Sequence, residues 1–194
     1  MAAYELMIET NRRLIAGELL TDAEKKEIVS RFLNAANFPK QAICYGVEPI
    51  SKARRPLFFL PPQNGGKKLK TVMGQMPKTH ILNGNMYELE ILRLLLLFAP
   101  DDPMVIEMTA QTLNRLKSTC FGYYGCSVGE CFDAALVVLR FLIVAAPDET
   151  VWIKKIIDMY YNYKTEKKRV KAVDSYFRLC LSELTGELAD RGAS

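Results

Sequence analysis

Residues 92–106 read LRLLLLFAPDDPMVI, and residues 139–153 read LRFLIVAAPDETVWI. The offset is 47 throughout. Leu92/Leu139, Arg93/Arg140, Leu95/Leu142, Ala99/Ala146, Pro100/Pro147, Asp101/Asp148 and Ile106/Ile153 are identical. Most other positions exchange one apolar residue for another. An internal repeat of this period implies a supersecondary unit that cannot bury its apolar face alone and must stack on its neighbour. Each copy ends an apolar run with Ala-Pro-Asp, which stops one helix and starts another. The repeat therefore predicts antiparallel helical hairpins and an all-α domain.

Helical signals extend the pattern in both directions. Residues 2–16 read as a helix stopped by Gly17. Thr21 or Asp22 caps a second, with Ile28, Phe32 and Ala35 as its apolar stripe. The repeat supplies helices at 86–98, 103–118, 133–146 and 149–163, with Asp102 and Asp148 as N-caps. Ser127 and Glu130 have the spacing of a capping box before the third of these. A last helix over 167–188 carries Val170, Val173, Phe177, Leu181, Leu184 and Leu188 at helical spacing. At 194 residues with 49% apolar content, the chain is long enough for one domain with its own core. Its parts are an N-terminal helical pair (1–36), an insert (37–85), and the repeated hairpins with a C-terminal helix (86–189).

The turn Asp102-Pro103-Met104-Val105, followed by Ala110, Leu113 and Leu116, resembles HEAT-type repeats, in which a short Asp/Pro turn joins two helices. The resemblance covers two units and implies a stacked array with the N-terminal pair as a third. An orthogonal helical bundle is the competing arrangement.

Residues 37–85 differ in kind. They hold six of the nine prolines and five glycines, with turn signals at Pro61-Pro62, Asn64-Gly65-Gly66 and Asn83-Gly84. Leu57–Leu60 and Lys68–Met73 flank the central turn as a candidate β-hairpin. Lys40, Lys52, Arg54, Arg55, Lys67, Lys68, Lys70 and Lys78 face Glu48 alone, a local +7 on a chain whose total is +4. Such a segment attracts anions by salt-sensitive electrostatics. The candidate anion- or partner-binding residues are Lys52, Arg54, Arg55, Lys67, Lys68, Lys70 and Lys78. Phe58 and Phe59 lie among them, either as platforms for base stacking or as core residues. The implied partner is an acidic protein surface or nucleic acid.

Cys120, Cys126 and Cys131 form a second constellation, within twelve residues. Three thiolates, with Cys44 or His80 as a fourth ligand, suit tetrahedral zinc, yet no Cys-x-x-Cys pair is present. The plainer reading makes Cys126 and Cys131 a hydrophobic staple around Ser127. Cys180 reads as core. Arg93 and Arg140 form a third constellation, because a buried guanidinium demands a partner. Glu90, Asp133 and helix-end carbonyls are the candidates, and a shared anion is the alternative.

No catalytic residues are recognisable: phosphate loops, nucleophile–histidine pairs and paired catalytic carboxylates lack their sequence context. The expectation is a non-enzymatic binding module without a resident cofactor or metal. The alternative is a thiol- or metal-dependent enzyme or redox sensor at Cys120–Cys131. The odd cysteine count and the absence of an apolar leader favour a reducing, cytoplasmic setting. The longest apolar runs are too short to cross a bilayer.

Overall fold

The computed structural model describes residues 2–36, 57–62, 68–126, 128–164 and 171–184. The chain is all-α. Its seven described helices are α1 (Ala3–Ile15), α2 (Asp22–Ala35), α3 (His80–Phe98), α4 (Pro103–Lys117), α5 (Cys131–Ala145), α6 (Thr150–Lys164) and α7 (Lys171–Ser182). No strand occurs among the described residues. Leu57–Leu60 is a bend, buried from 57 to 59, and 68–79 is an irregular arm, while the expected turn at 63–66 lies outside the described residues.

Two helices form the centre. Every residue of α3 from Leu82 to Leu95 is buried, as is nearly all of α5 between Phe132 and Leu142. Helices buried on every face form the core, and the charged residues they carry, Glu88, Glu90, Arg93 and Arg140, need partners there. Their starts lie together, where Glu130 accepts from Thr79, and about ten residues on Glu90 accepts from Arg140. The two therefore run side by side in the same direction. Helices α1, α2 and α4 pack on α3, while α6 and α7 pack on α5. No helix among the described residues is long and apolar enough to cross a membrane.

The two Ala-Pro-Asp turns have matching geometry. Ala99 ends α3 at φ −145°, ψ 59°, and Ala146 ends α5 at φ −154°, ψ 61°. The Ala99 amide donates to Leu95 O at 2.7 Å, and the Ala146 amide to Leu142 O at 2.9 Å. Asp102 N and Glu149 N then donate to the carbonyls of Ala99 and Ala146. Asp102 caps α4 by accepting from Met104 N and Val105 N. In the second copy the carbonyl of Glu149, rather than Asp148, receives the first helical bonds, from Trp152 N and Ile153 N. The capping position thus keeps the 47-residue register. Beyond the turns, α4 and α6 share no extended packing face among the described residues.

Three expectations are corrected. Helix α3 begins at His80, so the insert ends at residue 79 and Asn83-Gly84 is interior helix rather than turn. Burial overrides their local preference, and Asn83 Oδ1 accepts from Leu69 N at 2.8 Å, tying the arm to the helix. The Glu130 side chain does not return to the start of α5, which begins one residue after it with no side-chain cap. Instead it crosses to the start of α3. Ser127 lies outside the described residues. Cys131 is consequently the first residue of α5 and not its fourth, so the staple register is not the one formed.

At the N-terminus, the Thr21 hydroxyl accepts from Glu24 N while Glu24 accepts from Thr21 N at 2.7 Å, a complete capping box for α2.

Candidate functional site

Three sets of chemically capable residues emerge: a buried ion-pair core, the basic arm and a thiol cluster.

In the core, the repeat-related arginines do share an anion, and it belongs to the chain itself. Glu183, just past α7, accepts from Arg93 Nη2 at 2.7 Å and from Arg140 Nη2 at 2.8 Å on one oxygen, and from Arg140 Nε at 2.9 Å on the other. Arg140 Nη1 also donates to Glu90 at 2.8 Å and to Asn11 Oδ1 at 2.9 Å. The Tyr176 hydroxyl donates to the other oxygen of Glu90. Asp133, the other expected partner, accepts instead from Gln75 Nε2 at 2.7 Å. The four charges sum to zero; Glu183 keeps 21% exposure, and Arg93 Nε and Nη1 are buried without a hydrogen-bond partner among the described residues. Burial works against the Arg140 charge, but Glu90 and Glu183 outweigh it and hold the guanidinium protonated. Burial, then Glu90, pushes the Tyr176 phenol up.

A second pair was not singled out in the sequence. Arg115 on α4 donates to Glu88 at 3.0 Å and to Asn85 Oδ1 at 2.8 Å, and Thr112 donates to Glu88 at 3.1 Å. Both charged side chains are essentially sealed, at 1% and 0% exposure. Desolvation raises the Glu88 pKa more than Arg115 lowers it. An acid inside the apolar run of α3 was the available signal, since a charge there needs a partner. The identity of that partner depends on how α4 crosses α3, which no local pattern encodes.

The basic arm is described from Lys68 to Thr79. Leu69, Thr71 and Pro77 are buried and point it inward, while Lys70 and Lys78 are exposed and Lys68 is half-buried. The Lys70 carbonyl accepts from the Tyr4 hydroxyl at 3.1 Å, and Lys68 Nζ donates to the Lys78 carbonyl at 2.5 Å. At the far end the Glu130 carboxylate accepts from Lys78 N, from Thr79 N at 2.6 Å and from Thr79 Oγ1 at 2.5 Å. A carboxylate is well placed there, because the first N–H groups of α3 carry the positive end of the helix dipole. Lys52, Arg54, Arg55 and Lys67 lie outside the described residues. Phe58 and Phe59 are 3% and 1% exposed and pack in the core, where no base reaches them.

The thiol cluster sits between α4 and α5. The chain leaves α4 through a tight turn at Gly122, whose amide donates to Thr119 Oγ1 at 3.1 Å. A Cβ at Gly122 would meet Leu116 O at 2.4 Å, so only glycine fits without backbone movement. The Gly122 carbonyl accepts from Trp152 Nε1 at 2.5 Å, fastening the loop to α6. Cys126 N then donates to Cys120 O at 3.1 Å, folding the loop back on itself. Gly125 and Gly129 adopt φ of 71° and 55°, a region that glycine enters freely. The Sγ atoms of Cys120, Cys126 and Cys131 consequently lie within 4.8 Å of one another, all half-buried. Burial and the neighbouring Cys120 push the Cys131 thiol up to about 12. Cys180 is remote from the cluster, buried on α7 with its thiol donating to Leu136 O. Cys44 lies outside the described residues, and His80 is not among the grouped donors.

No family model, curated protein or solved structure matches this chain.

Proposed function

We propose that the protein is a non-enzymatic binding module, a HEAT-like helical frame that docks an acidic protein surface on its basic segment. The observation that carries this reading is the anchoring of the arm 68–79. Its backbone is tied at Leu69, Lys70, Lys78 and Thr79, while Lys70 and Lys78 project outward. A fixed backbone lowers the ordering cost of association, and clustered cations speed encounter with an anionic partner. An acidic protein surface is preferred over nucleic acid because Phe58 and Phe59, the stacking candidates, are occupied in the core. A reducing cytoplasm suits the free thiols of the four described cysteines.

The test is anisotropy titration of a labelled polyglutamate peptide, and of an oligonucleotide of equal charge, with the full chain. The comparison is a variant carrying serine at Arg54, Arg55, Lys67, Lys68, Lys70 and Lys78. The reading expects salt-sensitive binding of the peptide that the variant loses. A stronger oligonucleotide complex, whose log–log salt slope falls by about 0.7 per lost phosphate contact, moves the assignment to nucleic acid. Equal binding by both proteins removes the arm from the function.

A further inference from the structure

We propose that Cys120, Cys126 and Cys131 form a binding site for one thiophilic d10 cation, Zn2+, held by three thiolates. The argument begins with spacing. Zinc–thiolate bonds of about 2.3 Å in tetrahedral geometry set the sulfur atoms about 3.8 Å apart. Cys120 Sγ and Cys131 Sγ are 3.8 Å apart, and the third thiol joins them inside a 4.8 Å envelope. Two packed thiols of a staple need no third, and a Sγ···Sγ approach near 3.8 Å is far longer than a disulfide bond of about 2.05 Å.

The scaffold also suits the charge. Cys131 opens α5, so the positive end of that helix dipole faces the negative charge that a metal-bound thiolate keeps. Three thiolates around Zn2+ leave one net negative charge. Lys155 of α6 lies against the same loop, its Nζ 5.2 Å from the Tyr123 ring centroid and its Cε 3.5 Å from where a Gly125 Cβ would stand. The loop that carries Cys126 is bracketed by Gly125 and Gly129, which lets that sulfur close the remaining distance. An all-sulfur donor set selects soft ions over Mg2+ or Ca2+. Loading is a proton exchange: each thiol that binds releases its proton to solvent while the sulfur lone pair takes its place on the metal. No oxidant or reductant is involved. The arrangement leaves the fourth coordination position outside the three-cysteine set.

The experiment uses the reduced, metal-stripped full chain and Co2+ as a spectroscopic probe, followed by Zn2+ competition. The expected result is one Co2+ per chain, with thiolate-to-cobalt charge-transfer bands and quantitative displacement by one Zn2+. Cys126→Ser should remove about a third of the charge-transfer intensity, since one of three thiolates is gone. It should also weaken Zn2+ by more than the roughly 10- to 100-fold that loss of an outer-shell partner costs. Cys180→Ser should bind as the parent does. Absence of the bands in the unsubstituted chain overturns the proposal, and that arm does not depend on any variant folding. So does a spectrum that Cys126→Ser leaves intact, or an air-formed Cys120–Cys131 disulfide that forms in the presence of excess Zn2+.

Discussion

Replacing Arg140 with methionine removes four hydrogen bonds from a side chain that is 0% exposed. Methionine fills much of the volume, so the loss is electrostatic rather than a cavity. Glu183 keeps Arg93 at 2.7 Å, and Glu90 keeps the Tyr176 hydroxyl. The cluster is left with one cation for two carboxylates. Removing one partner of a buried pair costs about 3–5 kcal/mol, against a total stability of about 5–15 kcal/mol. The exposed pair Lys117–Glu149, at 2.7 Å, is the internal control, because its removal by Glu149→Gln costs at most about 1 kcal/mol. Adding Glu90→Gln to Arg140→Met restores neutrality, with Arg93 and Glu183 still paired. The double variant should therefore be more stable than additivity allows, by about 0.5–3 kcal/mol. Urea unfolding followed by far-ultraviolet circular dichroism reads all of these. With a slope of about 2 kcal/mol/M, the single substitution should lower the midpoint by roughly 2 M. A cost for Arg140→Met no larger than that of Glu149→Gln, or strict additivity in the double variant, refutes the buried-network reasoning.

Two further predictions follow from local geometry. Gly122→Ala drives a methyl group onto the Leu116 carbonyl, and should cost about 1–3 kcal/mol in the same unfolding assay; the Trp152 fluorescence should shift with it, because its Nε1 bonds to the displaced carbonyl. The Thr21 amide, then Arg13 and the Thr21 hydroxyl, hold the Glu24 carboxyl down at about 2. A carboxyl whose folded pKa is depressed stabilises the fold above its ordinary value of 4.5 and loses that contribution as pH falls through about 2. Carboxyl NMR titration of Glu24 should show the low midpoint, and Thr21→Ala should move it upward.

The centre of the fold was legible because it is written twice. The same Ala-Pro-Asp word at the same register gives Ala99 and Ala146 nearly the same dihedral angles, and it sets Arg93 and Arg140 on one carboxylate. The carboxylate itself was not legible. Glu183 lies 90 residues from Arg93, and an ordinary-looking acid at the end of α7 carries no mark of where that helix docks. Asn83-Gly84 misled for a related reason: turn propensity is local, whereas burial in α3 and the bond from Leu69 are tertiary. Glu130 likewise fits a capping-box pattern for α5 but serves α3, because an acidic side chain between two helix starts bonds whichever amides face it. The thiol cluster had no familiar spacing to announce it. Its convergence comes from the Cys126–Cys120 backbone bond and two left-handed glycines, which act on chain path rather than on pattern.

In the proposed function the arm 68–79 is tied down in the free protein, so that its lysines are displayed before any partner arrives. Amide hydrogen exchange at Leu69, Lys78 and Thr79 in the free protein tests it most directly. If Asn83 and Glu130 hold these amides as the geometry requires, exchange should be slowed by about 100-fold or more, corresponding to about 2.7 kcal/mol of opening free energy. Glu130→Ala should release Lys78 and Thr79 while leaving Leu69 protected. Exchange at all three positions near the rate of an unstructured peptide would contradict the account.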